Sequence, residues 1–179
     1  MADRPFNAMT PSIRTAVPDD APALTPLLVE VNDLHAAALP DRFRRVAAGP
    51  ELEAFLLARI AQENARTFVA EHGGGPVGFI VATVREAPPA PIAVPGRDGE
   101  IVTLVVAAKA RRRGVGRALV RHAHRWFADQ GIDEVQLVVY EFNDDARRFY
   151  ERLGYETQRR MLQRFLATTL PAPSSGDDG

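Results

Sequence analysis

Apolar and polar positions change period several times along the chain, and each change marks an element. Ser12 to Val17 alternates in twos and then meets Pro18-Asp19-Asp20. This predicts a short strand followed by a helix N-terminus with Asp19 or Asp20 as cap. Leu24, Leu27, Leu28, Val31, Leu34 and His35 then recur three and four apart, as on one helix face. Pro22 fits a first turn, whereas Pro26 predicts a kink or a later start. After Pro40-Asp41-Arg42-Phe43 a second amphipathic helix is expected from about Pro50 to Asn64, on Leu52, Phe55, Leu56, Arg59, Ile60 and Glu63.

Two apolar runs, Thr67 to Glu71 and Val77 to Thr83, flank Gly73-Gly74-Gly75-Pro76 and predict a hairpin. Pro88 to Gly96 is a proline-rich loop, stiff and exposed. Ile101 to Val106 carries β-branched residues of both parities, as in a central strand covered on both faces. The basic stretch Lys109 to Arg113 leads through Gly114-Val115-Gly116 into a helix that runs to about Gln130 and is closed by Gly131. Val135 to Tyr140 reads as a strand, and Asn143 or Asp144 caps a helix that ends at Gly154. Tyr155 to Leu166 supplies one or two closing strands. The predicted order is β-α-α-β-β-β-α-β-α-β, an α/β (α+β) architecture with a mixed sheet and helices on both faces.

Composition narrows the chemistry more than the fold. A chain of 179 residues suits one domain, here 12–168 between an N-terminal extension (1–11) and a tail (169–179) that is expected to be disordered. A formal net charge of -1 provides no global attraction to nucleic acid or anionic lipid, so any anion site must be local. With no cysteine, a disulfide framework, a thiolate zinc site and a Cys nucleophile are all excluded. That usage suits a reducing cytosol. Met1 to Thr10 holds no apolar leader core, and no apolar run approaches the length of about 18 that a membrane helix needs, so a cytoplasmic protein is expected. His122 and His124 lie two apart on a helix and face different directions, so no metal is expected there. Trp126 and Phe127 read as core, and Arg159, Arg160 and Arg164 as the solvent side of the closing strand.

The candidate chemistry sits where the central strand gives way to Arg111-x-x-Gly114-x-Gly116 and a helix. Two glycines let backbone approach an anion, a helix N-terminus points unpaired N–H groups at it, and Arg111, Arg112, Arg113 and Arg117 add charge. A Walker loop is absent, and Leu119 stands where a dinucleotide fingerprint needs its third glycine, which leaves NAD a weak second reading.

Taken together, Leu104-Val105-Val106, Arg111-x-x-Gly114-x-Gly116-x-Ala118-Leu119 and Asn143-x-x-Ala146-x-x-Phe149-Tyr150-Glu151-x-Leu153-Gly154-Tyr155 resemble the GCN5-related N-acetyltransferase (GNAT) superfamily. The resemblance covers about Ser12 to Leu166 and implies a mostly antiparallel central sheet of about six to seven strands. It implies that acetyl-CoA pairs its pantetheine amides with Leu104, Val105 and Val106. Arg111, Arg112, Arg113, Gly114, Val115, Gly116, Arg117 and Ala118 would wrap the pyrophosphate, and Asn143 and Ala146 would line the pantetheine. It also implies a backbone N–H of Val105 or Val106 on the thioester carbonyl, and Tyr150 as general acid near the sulfur. The base is left open between Glu100, which simple alternation puts on a face with Val102 and Leu104, His35 and water. His35 and Phe43 lie in the stretch that lines the acceptor pocket in the family. An N-acetyltransferase with a primary amine acceptor is the implied activity, with a catalytically silent acyl-CoA-binding module as the alternative and a homodimer possible through the closing strand.

Overall fold

A computed structural model describes residues 10–87, 91, 92 and 94–164. Most of the N-terminal extension, part of the proline-rich loop, and the tail lie outside the described residues. The elements are β1 (Ser12–Thr15), α1 (Ala21–Ala38), α2 (Pro50–Ile60), β2 (Ala65–His72), β3 (Gly75–Glu86), β4 (Arg97–Val106), α3 (Val115–Asp129), β5 (Val135–Leu137) and α4 (Asp144–Glu151), with short 3-10 turns at Pro18–Asp20 and Ala108–Ala110. One sheet runs in the order β1-β2-β3-β4-β5. Its first three pairings are antiparallel and β4 to β5 is parallel. No described helix is long and apolar enough to cross a membrane.

Both faces of the sheet are covered. On one, Phe68, Ile80, Ile101, Val115, Leu119, Ala123 and Phe127 form a core with α3, joined at its margin by Phe149 and Tyr150 of α4. On the other, Val69, Phe79, Val81 and Val105 meet Leu24 of α1 and Leu56 of α2. The alternation read in Ile101–Val106 thus divides the residues of β4 between two cores.

Three expectations change. Pro26 lies inside α1, which starts at Ala21 and continues through it; a hydrogen bond from Thr25 Oγ1 to the Ala21 carbonyl at 2.8 Å serves the first turn. The strand expected over Val135–Tyr140 pairs only through Leu137. No closing strand forms among the described residues after α4: residues 155–164 make no ladder, and the sheet has five strands rather than six or seven. The reason is the pattern itself. Met161 and Leu162 are adjacent rather than alternating and are 79% and 93% exposed, so this run has no single face to bury. Phe165 and Leu166 of the expected strand lie outside the described residues.

Arg14 ties β1 to the turn that precedes α1. Its guanidinium donates to both carboxylate oxygens of Asp20 at 2.7 Å and to Glu71 Oε1 at 2.6 Å, while the Val17 N–H also donates to Asp20. Hydrogen bonding from Arg14 holds the Asp20 carboxyl below its ordinary 3.8. Arg14 is 41% exposed, so solvent screens the cluster and it contributes about 1 kcal/mol. A lowered carboxyl pKa stabilises the fold above the unfolded value, and that contribution is lost as pH falls through the lowered one. Asp20→Asn should therefore lower urea stability by about 1 kcal/mol at neutral pH. The gap to the unsubstituted protein should narrow as pH falls below the ordinary carboxylate value and close once Asp20 is protonated; a gap that stays constant throughout acid titration would contradict the assignment.

Candidate active site

The site begins with one surplus residue. Val81 pairs with Thr103 and Ala82 with Ile101, so Val102 has no partner and β4 bulges. The bulge resets side-chain parity: Ile101, Leu104 and Val106 all pack on the α3 side, although the first two are three positions apart. Glu100 consequently shares the α1–α2 face with Val105, not a face with Leu104 as simple alternation predicts.

Beyond the bulge β4 has a free side. Its pairing with β5 covers only Gly99, Ile101 and the intervening Glu100. Val105 turns its carbonyl towards β3, where a Cβ added to Gly78 would lie 2.6 Å from it, and the Ala107 N–H donates to Val77 at 2.9 Å. Antiparallel alternation then directs the amides of Leu104 and Val106 away from β3, into the gap beside β5. Of the two N–H groups expected to serve the carbonyl, that of Val106 faces the gap and that of Val105 belongs to the β3 ladder.

The glycine loop comes directly after β4. Arg112 and Gly114 have positive φ, 59° and 87°, and Gly114 is the N-cap residue of α3. This corner aims the first N–H groups of α3, from Val115, Gly116, Arg117 and Ala118, at whatever lies before the helix. Gly116 keeps close contact: a Cβ there would stand 3.3 Å from the Phe149 ring. Arg111 is half exposed and already has partners. Its Nε donates to the Val106 carbonyl at 3.0 Å and its Nη2 pairs with Glu30 of α1, whose other oxygen accepts the Ala108 N–H at 3.3 Å. Arg112 and Arg113 are exposed, and Arg117 begins a row with Arg121 and Arg125, four apart on α3 and without acidic ion-pair partners among the described residues.

On α4, Asn143 Oδ1 accepts the Ala146 N–H at 3.1 Å, so the side chain is engaged as the helix cap. Tyr150 is half-buried against the α3-side core, and burial raises its hydroxyl well above the ordinary 10, with Tyr155 adding to the shift. Glu100 stands opposite Thr83 and Gln136, 28% exposed, with Arg85 Nη1 at 3.5 Å. Tyr150 and Glu100 therefore lie on opposite faces of the sheet.

His35 and Phe43 meet, with ring centroids 5.1 Å apart. The structure adds two rings that the sequence pattern does not single out: Tyr140 and Phe142, each 5.6 Å from His35. Both come after β5, where periodicity predicts only the end of a strand and a loop; the alternation in Tyr140-x-Phe142 is the signal that could have found them. The cluster joins the end of α1 to the loop after β5. His35 Nδ1 donates to the Val31 carbonyl at 2.8 Å, which leaves Nε2 as the available ring nitrogen. Among the described residues no group of His, Asp or Glu could hold a metal ion.

The family profile described as Acetyltransferase (GNAT) family matches residues 29–155, most of the site included. The chain belongs to the GNAT family. It is 34% identical over 176 residues to a mycothiol acetyltransferase of Frankia casuarinae, covering 88% of this chain and 47% of that protein. It is 36% identical over 70 residues to N-alpha-acetyltransferase 30 of Xenopus laevis, covering 39% of this chain and 26% of the other. The chain thus spans at most about half the length of these curated relatives. Among solved structures, the BH1408 protein of Bacillus halodurans superposes with a TM-score of 0.82 at 24% identity, covering 87% of this chain and 99% of that one. A GCN5-related N-acetyltransferase of Ralstonia eutropha gives 0.64 at 26%, with the same two coverages. These likenesses establish the GNAT fold.

The loop corner yields a direct test. Gly114 is left-handed with open space around its Cβ position, so Gly114→Ala is penalised by backbone strain alone, about 1–2 kcal/mol. A thermal midpoint lower by several degrees is expected, and an unchanged midpoint would show that the corner relaxes.

Proposed function

We propose that this GNAT protein transfers the acetyl group of acetyl-CoA to a primary amine of a small-molecule or protein acceptor, by direct attack in a ternary complex. The observation that carries the reading is the free stretch of β4 running straight into the left-handed corner before α3. An extended amide-bearing arm and its thioester find the N–H and C=O of Leu104 and the N–H of Val106 along this stretch, and a pyrophosphate at the far end of the arm meets the N-terminus of α3. Arg112, Arg113 and Arg117 neutralise it, while Arg111, engaged with Glu30, braces the loop. Ala146 flanks the arm, and Asn143 holds the first turn of α4 in place.

Acetyl-CoA, when bound, supplies a thioester. Val106 N–H donates to the carbonyl oxygen as negative charge develops on it. Glu100, on the α1–α2 face and six residues along β4 from Val106, receives the proton that the amine loses on attack through a chain of waters. Burial keeps Tyr150 protonated, so it presents an O–H to the sulfur as the C–S bond breaks. Its raised pKa makes complete proton transfer to the thiolate uphill, and its contribution is the hydrogen bond; the thiolate takes its proton afterwards from solvent. His35, Phe43, Tyr140 and Phe142 form the wall on the α1 side, where the acceptor enters.

Two measurements test this. In a thermal-shift titration, acetyl-CoA and CoA at about 100 times their dissociation constants should each add roughly 2.7 kcal/mol, with no shift from NADH or ATP. A shift from NADH or ATP alone would sink the reading. Tyr150→Phe should lower kcat by about 10- to 100-fold while acetyl-CoA affinity stays within twofold. Full activity in that variant would remove Tyr150 from the chemistry.

A further inference from the structure

The hydroxyl of Tyr150 has no hydrogen-bond partner among the described residues, so packing alone sets the direction of its ring. Two neighbours supply that packing. Phe149 meets it at 5.0 Å between centroids, and Tyr155 meets it edge-on at 5.4 Å with 73° between the planes. Tyr155 is also tied to Tyr150 through the backbone, since its N–H donates to the Tyr150 carbonyl at 3.1 Å across the turn at Gly154. The phenol of Tyr155 in turn has a partner: its oxygen lies 2.7 Å from Nε2 of His124, in the middle of α3.

Among the described residues this is the only hydrogen bond between α3 and the chain from α4 onward. It joins the helix whose N-terminus carries the phosphate loop to the ring that orients Tyr150. Burial lowers His124 below the usual imidazole value and pushes Tyr155 up to about 12. Both groups are thus neutral at neutral pH, and the contact is a hydrogen bond between neutral partners. Such a bond adds modestly to stability, yet it is directional, and a ring of Tyr155 held at both ends leaves its neighbour little freedom.

We propose that His124, acting through Tyr155, is a positioning residue for Tyr150, holding the phenol in line with the sulfur of a donor seated on α3. This rests on Tyr150 serving as the hydrogen-bond donor to that sulfur. Small misplacements are costly in such sites: an error of about 1 Å at a reacting group lowers rates by up to 10²-fold.

The test is a set of single and double substitutions read by steady-state kinetics, acetyl-CoA binding and thermal midpoint. Tyr155→Phe keeps the ring and removes only the hydroxyl. It should lower kcat by about five- to tenfold, with acetyl-CoA affinity within twofold and the fold retained. His124→Ala should show the same loss, and His124→Gln, which keeps a polar terminus within reach of the phenol, should recover most of it. In a Tyr150→Phe background, Tyr155→Phe should cost nothing further, because the group being positioned is gone. Wild-type kcat in both Tyr155→Phe and His124→Ala, or an undiminished further loss in the Tyr150→Phe background, would overturn the inference. A parallel fall in acetyl-CoA affinity and midpoint would overturn it in favour of a purely structural tie. An impaired Tyr150→Phe beside a fully active Tyr155→Phe sinks this inference alone, whereas a fully active Tyr150→Phe sinks the role of Tyr150 and this inference with it.

Discussion

One surplus residue in β4 governs the geometry of the site. A strand in the middle of a sheet normally commits both rows of its amides to its neighbours and leaves none for a ligand. Val102 breaks that arrangement by bulging, and β5 stops pairing at Leu137. The strand then keeps β3 on one side and frees Leu104 and Val106 on the other. The strand that carries the free amides is backed by two packed cores, in which Phe79, Ile80, Leu119 and Phe127 are fully buried, so the direction of those amides is fixed by the fold.

The same bulge explains where pattern reading succeeds and where it stops. Elements with a strong period are legible: the hairpin around the glycines, the amphipathic α3 with Gly131 behind it, and α4 with Asn143 as its cap all stand where periodicity and caps put them. The loop at Gly114 is legible because only glycine takes its φ readily. Parity across β4 is not, since nothing in Glu100 to Val106 announces an unpaired residue, and a single bulge reverses the face of every side chain upstream of it. Among the described residues the closing strand is missing for the opposite reason. Tyr155 to Leu166 looks apolar in aggregate, but Met161 and Leu162 fall side by side, and adjacency cannot build a face.

Long-range partnerships are the other illegible class. Arg111 belongs to a basic run that suggests four equivalent anion ligands, yet Glu30, more than eighty positions earlier, pairs with this one and sets it apart from the other three. His124 reads as one of two surface histidines on α3 until Tyr155 is found beside it. His35 and Phe43 suggest an acceptor wall from α1 and its loop, and only the folded chain brings Tyr140 and Phe142 to the same place. In each case the residue type is visible in the sequence, while the partner that decides its role depends on topology.

The clasp between Arg111 and Glu30 bears on how the loop meets its ligand. With one guanidinium anchored to a carboxylate on α1 and to the Val106 carbonyl, the corner has its shape before any anion arrives. Most of the ordering entropy is then lost on folding rather than on association. A lock cut in advance admits its key without first having to bend, and the counterpart of that readiness is a helix, α1, that cannot drift from the loop without loosening it.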